Sequence, residues 1–154
     1  IPGVELTHIP RELINEAAQT ARSLGARVVI VHGETLVEPV EPGTNLAALS
    51  SAYVDVLAHP GLITEDEARM AATNNIFLEL SIRRGHCLSN GHVARIAHAT
   101  GAKLILDSDA HAPEDLLTPE LAHNTAHGAG LTDNQITDVT ETHPLELLRK
   151  ATTR

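Results

Sequence analysis

The sequence predicts an α/β fold with a parallel sheet closed as a β/α barrel, in a single domain over residues 1–154. Three observations predict it. Five short apolar runs alternate with helical patterns, the rhythm of strand–helix–strand units. Each run is almost continuously apolar instead of alternating, as parallel strands covered on both faces require. Nearly every run also ends in Glu, His or Asp. Many polar strand ends meeting on one rim suit a barrel, whereas an open sheet offers mainly the crevice where its strand order reverses.

In chain order the runs occupy 4–7, 27–32, 54–59, 76–80 and 103–107. Residues 11–24 place Leu13, Ile14, Ala17, Ala18, Ala21 and Leu24 on one helical face, with Gly25 where a C-cap belongs. Thr64 and Glu67 form the pattern of a capping box for a helix to about Asn74. Ser89 or Asn90 offers a cap for a helix through His98 that Gly101 ends. Two more helical patterns cover 119–127 and 132–149, and no low-complexity linker divides the chain.

Composition narrows the function. Phe77 and Tyr53 are the only aromatic residues, so the core must be aliphatic. No run approaches the roughly 18 apolar residues of a membrane span. The single Cys87 permits no internal disulfide and fits a cytoplasmic setting. A formal charge of −9 with scattered basic residues speaks against a nucleic-acid partner. Ten histidines are many for 154 residues, and they point toward metal chemistry.

Five residues carry that chemistry: Glu5, His32, His59, Asp109 and His111, each at or just after an apolar run. Imidazole and carboxylate are the usual ligands of Zn, Mn and Fe. In an extended Asp109-x-His111 segment both side chains point to one side. Taken singly, a His after a strand or a His-Pro-Gly turn is ordinary; four such events at successive strand ends are not.

The segments Pro2-Gly3-Val4-Glu5-Leu6-Thr7, Val31-His32-Gly33-Glu34-Thr35, Asp55-Val56-Leu57-Ala58-His59-Pro60-Gly61 and Asp107-Ser108-Asp109-Ala110-His111-Ala112-Pro113 resemble the PHP family. That family includes histidinol-phosphate phosphatases and domains attached to bacterial DNA polymerases. The resemblance implies a distorted seven-stranded barrel that hydrolyses phosphoesters with up to three Zn, Mn or Fe ions. It also implies roles: Glu5 as bridging carboxylate, His32 and His59 completing one metal site with it, Asp109 on a neighbouring ion and His111 on a third. The family opens with His-x-His and Thr-Asp-His strands that do not precede Ile1. The expectation is therefore an incomplete barrel lacking its first two strands, part of a longer natural protein and inactive alone.

Arg84, His86, Asn90 and His92 are candidates for a phosphate pocket, since a guanidinium, imidazoles and a helix start all favour an anion. Glu34 and Glu79 are candidates to orient the histidine ligands. His8, His98, His123, His127 and His143 read as surface or helix residues, and Cys87 as a small packing thiol. The expected activity is hydrolysis of small phosphoesters by metal-activated water, with a small phosphorylated substrate, no nucleic acid and no membrane. Alternatives are amide or lactone hydrolysis in a similar barrel, or a non-catalytic binding domain.

Overall fold

The computed structural model describes residues 1–153, and in it the five apolar runs become five strands. They are β1 (Gly3–Leu6), β2 (Val28–His32), β3 (Val56–Ala58), β4 (Phe77–Ser81) and β5 (Leu104–Asp107). All neighbouring pairs are parallel, in the order β1-β2-β3-β4-β5. The barrel expectation is corrected here: this is an open sheet, with β1 and β5 as its two edges. Sequential order with a helix between strands is shared by barrels and open sheets. Closure needs the last strand to return to the first, which the apolar pattern of single strands does not reveal.

Helices α1 (Ile14–Ser23), α2 (Thr44–Leu49), α3 (Glu65–Asn74), α4 (Asn90–Thr100), α5 (Pro119–Gly128) and α6 (Asp133–Thr137) follow the strands. Ile14, Ala18, Leu49, Ala68, Ala71, Val93 and Ala97 from these helices pack with Val29, Val31, Leu57, Leu78, Leu80 and Leu106 in one core. Small helix residues against branched strand residues let the two layers approach closely, which suits a chain almost without aromatics. The expected capping box is present: Thr64 Oγ1 accepts from Glu67 N at 3.3 Å, and Glu67 Oε2 accepts from Thr64 N at 2.8 Å. Gly101, at φ +77°, ends α4 as expected. Helix α2 was not expected, because its six residues are too short to show a period. The stretch 132–149 breaks into α6, a π-helical turn (Asp138–Thr142) and α7 (His143–Thr152). Pro144 has no N–H and cannot continue a regular α-ladder from the preceding turn.

The opposite sheet face is built from the alternate strand residues and has two storeys. Ile30, Val56, Phe77 and Ile105 form an apolar layer that Leu147 of α7 covers. Two residues further along the same strands come His32, Ala58, Glu79 and Asp107, a layer that is mostly polar. Helix α7 is fixed below by Lys150 Nζ, 3.1 Å from the buried Asp55 carboxylate, which also pairs with Arg22 and accepts from Val29 N. Burial pushes Asp55 upward, but the Val29 N–H, Arg22 and Lys150 outweigh it and hold the carboxyl below its ordinary value. Among the described residues no helix is long and apolar enough to cross a membrane.

Candidate metal centre

At the C-terminal ends of the strands, His32 ends β2, His59 follows β3, and His86 starts the 3-10 turn (His86–Ser89) after β4. All three are buried, and each offers a ring nitrogen within 4.8 Å of the other two. Their ring centroids are 4.3 Å (His32–His59), 4.1 Å (His59–His86) and 5.7 Å (His32–His86) apart.

The hydrogen bonds behind the rings decide which nitrogen faces inward. His32 Nδ1 donates to Gly33 O at 3.0 Å; a carbonyl only accepts, so the proton sits on Nδ1 and Nε2 carries a free lone pair. His59 Nδ1 donates to Glu79 Oε2 at 2.8 Å, and the same oxygen accepts from His59 N at 2.5 Å. His86 Nδ1 lies 2.7 Å from Thr35 Oγ1. The Nε2 atoms of His32 and His59 are buried without any hydrogen-bond partner. Buried polar atoms are almost always satisfied, so two such orphans on rings whose centroids are 4.3 Å apart suit a ligand position.

Three carboxylates ring the imidazoles. Glu5 Oε1 is 3.9 Å from His59 Nε2, Asp109 Oδ2 is 3.8 Å from His86 Nε2, and Glu38 Oε2 is 3.8 Å from both His32 Nε2 and His86 Nε2. These separations exceed a hydrogen bond. They approach the spacing of two ligands on one shared ion, about 3.4 Å for bonds of about 2.1 Å at a tetrahedral angle. The site therefore fits a divalent cation by its donor set, its spacing and its orphaned nitrogens.

Electrostatics keep the imidazoles neutral and ready to ligate. Burial, and then repulsion from His59, push His32 below its ordinary value; the same two causes bring His86 down to about 4. Burial also lowers His59 against the pull of Glu5. Burial raises Glu5. Behind His59, Glu79 and Asp107 are hydrogen-bonded to each other, and burial raises both, Asp107 well above the usual carboxylate range. Two buried carboxyls in contact hold a proton between them.

The backbone around the site is tightly constrained. His59 and Asp109 have φ of +29° and +45°, the left-handed region that L-residues enter at a cost of order ~1–3 kcal/mol. A Cβ on Gly61 (φ +61°) would lie 1.9 Å from Glu34 O, so the loops after β2 and β3 can touch only through glycine.

Of the residues expected at the site, His32 and His59 converge, Glu5 and Asp109 flank them, and Glu79 orients His59. His111 does not reach the triad: it is exposed, and its Nδ1 bonds Asp109 O at 2.9 Å. Glu34 accepts from Gly43 N and Asn45 N and so braces the loop instead of an imidazole. The phosphate pocket does not assemble as expected. Arg84 points to solvent, Asn90 spans the Ser81 N–H and carbonyl, and His92 Nε2 bonds Ile63 O at 2.8 Å. Arg83 takes the place expected of Arg84, with Nε 3.4 Å from Asp109 Oδ2. His86 belongs to the triad. Its signal was Gly85, whose φ of +94° turns the chain back toward the strand ends. Glu38 gave no signal, because Leu36-Val37-Glu38-Pro39 reads as a solvated loop.

Fold and site define an α/β protein whose parallel sheet carries three convergent buried histidines among carboxylates. The chain belongs to the family of the uncharacterized protein MJ1295 of Methanocaldococcus jannaschii, to which it is 49% identical over 150 residues, spanning 97% of this chain and 69% of that one. No family model matches it. In fold it is similar to a chain in a cryo-EM structure of archaeal ribonuclease P with mature tRNA, at TM-score 0.64 and 16% identity, covering 98% of this chain and 65% of that one. This likeness and the open sheet replace the barrel expectation. The exclusion of a nucleic-acid partner is corrected as well. A chain of this fold stands in a structure with tRNA, and net charge averages over a surface on which partners meet only patches.

Proposed function

We propose that the chain carries the metal centre of a PHP-like phosphoesterase. One observation carries the reading: three buried imidazoles each offer a ring nitrogen within 4.8 Å of the other two, and the Nε2 of His32 and of His59 has no hydrogen-bond partner. His32, His59 and His86 would hold a divalent ion, Zn or Mn first and Fe as a third candidate, with Glu5, Glu38 and Asp109 close by. Such an ion supplies Lewis acidity for a phosphoryl oxygen and makes a coordinated water easier to deprotonate. Glu5 and Asp109 stand beside His59 and His86, where each is placed to take the proton the attacking water gives up. Glu79 holds the His59 ring in the ligating tautomer. Arg83 places a guanidinium against Asp109, where it would meet charge developing on phosphoryl oxygens. A cytoplasmic setting agrees with the lone free Cys87.

The test begins with metal. The chelator-stripped chain should take up Zn or Mn stoichiometrically, and His59→Ala should not. The protein should then hydrolyse p-nitrophenyl phosphate or bis-p-nitrophenyl phosphate only when loaded. Metal uptake without turnover on either ester, or on RNA, would refute the hydrolytic reading. A second reading, membership of an RNA-containing assembly, is favoured by the fold likeness to the ribonuclease P chain. Fluorescence anisotropy with labelled tRNA separates the two, because an assembly subunit should bind without loaded metal and without turnover.

A further inference from the structure

We propose that Glu38 is a bridging carboxylate, joining the buried three-histidine centre to a second divalent-cation subsite at the surface that His8 completes. The inference rests on the metal reading of the centre and adds residues that the PHP resemblance does not assign.

The two oxygens of Glu38 face different partners. Oε2 lies 3.8 Å from His32 Nε2 and from His86 Nε2, while Oε1 lies 3.8 Å from His8 Nε2. All three distances are too long for hydrogen bonds, yet suit pairs of ligands either side of an ion with bonds of about 2.0–2.2 Å. His32 connects the two positions. Its ring is buried, its Nε2 has no hydrogen-bond partner, and that atom has Glu38 as its near carboxylate. The His8 ring stacks beside it with centroids 6.1 Å apart at 26°. His8 follows β1 at φ +54°, a left-handed conformation that turns its ring toward Glu38 instead of along the strand.

The ordinary alternative is a solvated glutamate beside a solvated histidine, since both side chains are more than half exposed. Exposure by itself would favour that view. It does not account for a carboxylate on a loop lying equidistant from three imidazole nitrogens, one of them buried and unsatisfied. With one imidazole and one carboxylate oxygen, the outer subsite supplies two protein ligands. It would bind Mn or Zn weakly and leave the other positions to water or to an anionic oxygen.

Titration calorimetry and electron paramagnetic resonance with Mn, on the chelator-stripped chain, decide the matter. The wild type should bind one ion tightly and a second at least about tenfold more weakly, with exchange coupling between them. His8→Ala should lose the weak ion and the coupling while tight binding stays within about twofold. Glu38→Gln should lose both and also weaken the tight site. A wild type that binds one uncoupled ion overturns this inference and leaves the three-histidine centre standing. Retention of the second ion in both variants overturns it equally. A wild type that binds no ion sinks the metal reading itself, and this inference with it.

Discussion

His86 should make the metal-free protein lose stability in acid. Its imidazole is brought down to about 4 by burial and by its neighbour His59, from an ordinary 6.5. In the unfolded chain it takes up a proton near pH ~6.5; in the folded protein it resists until much lower pH. The folded value is the depressed one, so its contribution is complete above about 6.5 and drains away as pH falls toward 4. The gap amounts to at most about 3 kcal/mol, at about 1.36 kcal/mol for each tenfold change in proton affinity. His86→Gln keeps a neutral polar group and removes the titration. Urea denaturation of the chelator-stripped wild type and variant, from about pH 7.5 to 4.5, reads the effect as a difference of differences. The opposing contributions of Glu5, Glu79 and Asp107, whose values are raised, occur in both proteins and cancel. The wild type should lose up to about 3 kcal/mol more than His86→Gln across that range. Parallel stability curves would show that His86 is not held neutral by burial, and the ligand-ready view of the triad would fall with it.

Three further outcomes follow from the same geometry. Histidines at their ordinary value would surrender an ion near pH ~6.5; with all three lowered by burial, Zn affinity by calorimetry should hold through that range and fall only at lower pH. Gly61→Ala puts a Cβ 1.9 Å from Glu34 O at a positive φ, so it should cost more than about 2 kcal/mol in denaturation and weaken metal binding; near-wild-type behaviour would mean the loops after β2 and β3 are not locked together. Under the proposed phosphoesterase reading, Arg83→Ala in the metal-loaded protein should raise KM or lower kcat by about 10-fold or more while Arg84→Ala changes neither; the reverse pattern would restore the pocket expected from sequence and unseat Arg83.

Much of the architecture was legible in the chain itself. Unbroken apolar runs such as Val28-Val29-Ile30-Val31 mark strands buried on both faces, and the Thr64–Glu67 pair marks a helix start, because both are local patterns set by backbone geometry. His32 and His59 were visible for the same reason: each stands where an apolar run stops, and polar groups at parallel strand ends are ready-made ligands. Closure was not legible. Whether β1 meets a further strand depends on pairing between chain segments far apart, and the amphipathic pattern of α7 does not tell that Leu147 covers the second face. Nor were the partners of the histidines. Glu38 and Arg83 lie on loops and His86 on a 3-10 turn, whose side-chain directions follow from the turn at Gly85 and from contacts between loops, not from any period in the sequence. The sequence by itself determined which strands exist and which two imidazoles end them, since those depend on neighbours one to four residues away. Only the tertiary structure decided that the described strands form an open sheet and which third imidazole and which carboxylates gather beside His32 and His59, because those choices depend on long-range packing of loops with no repeating signature of their own.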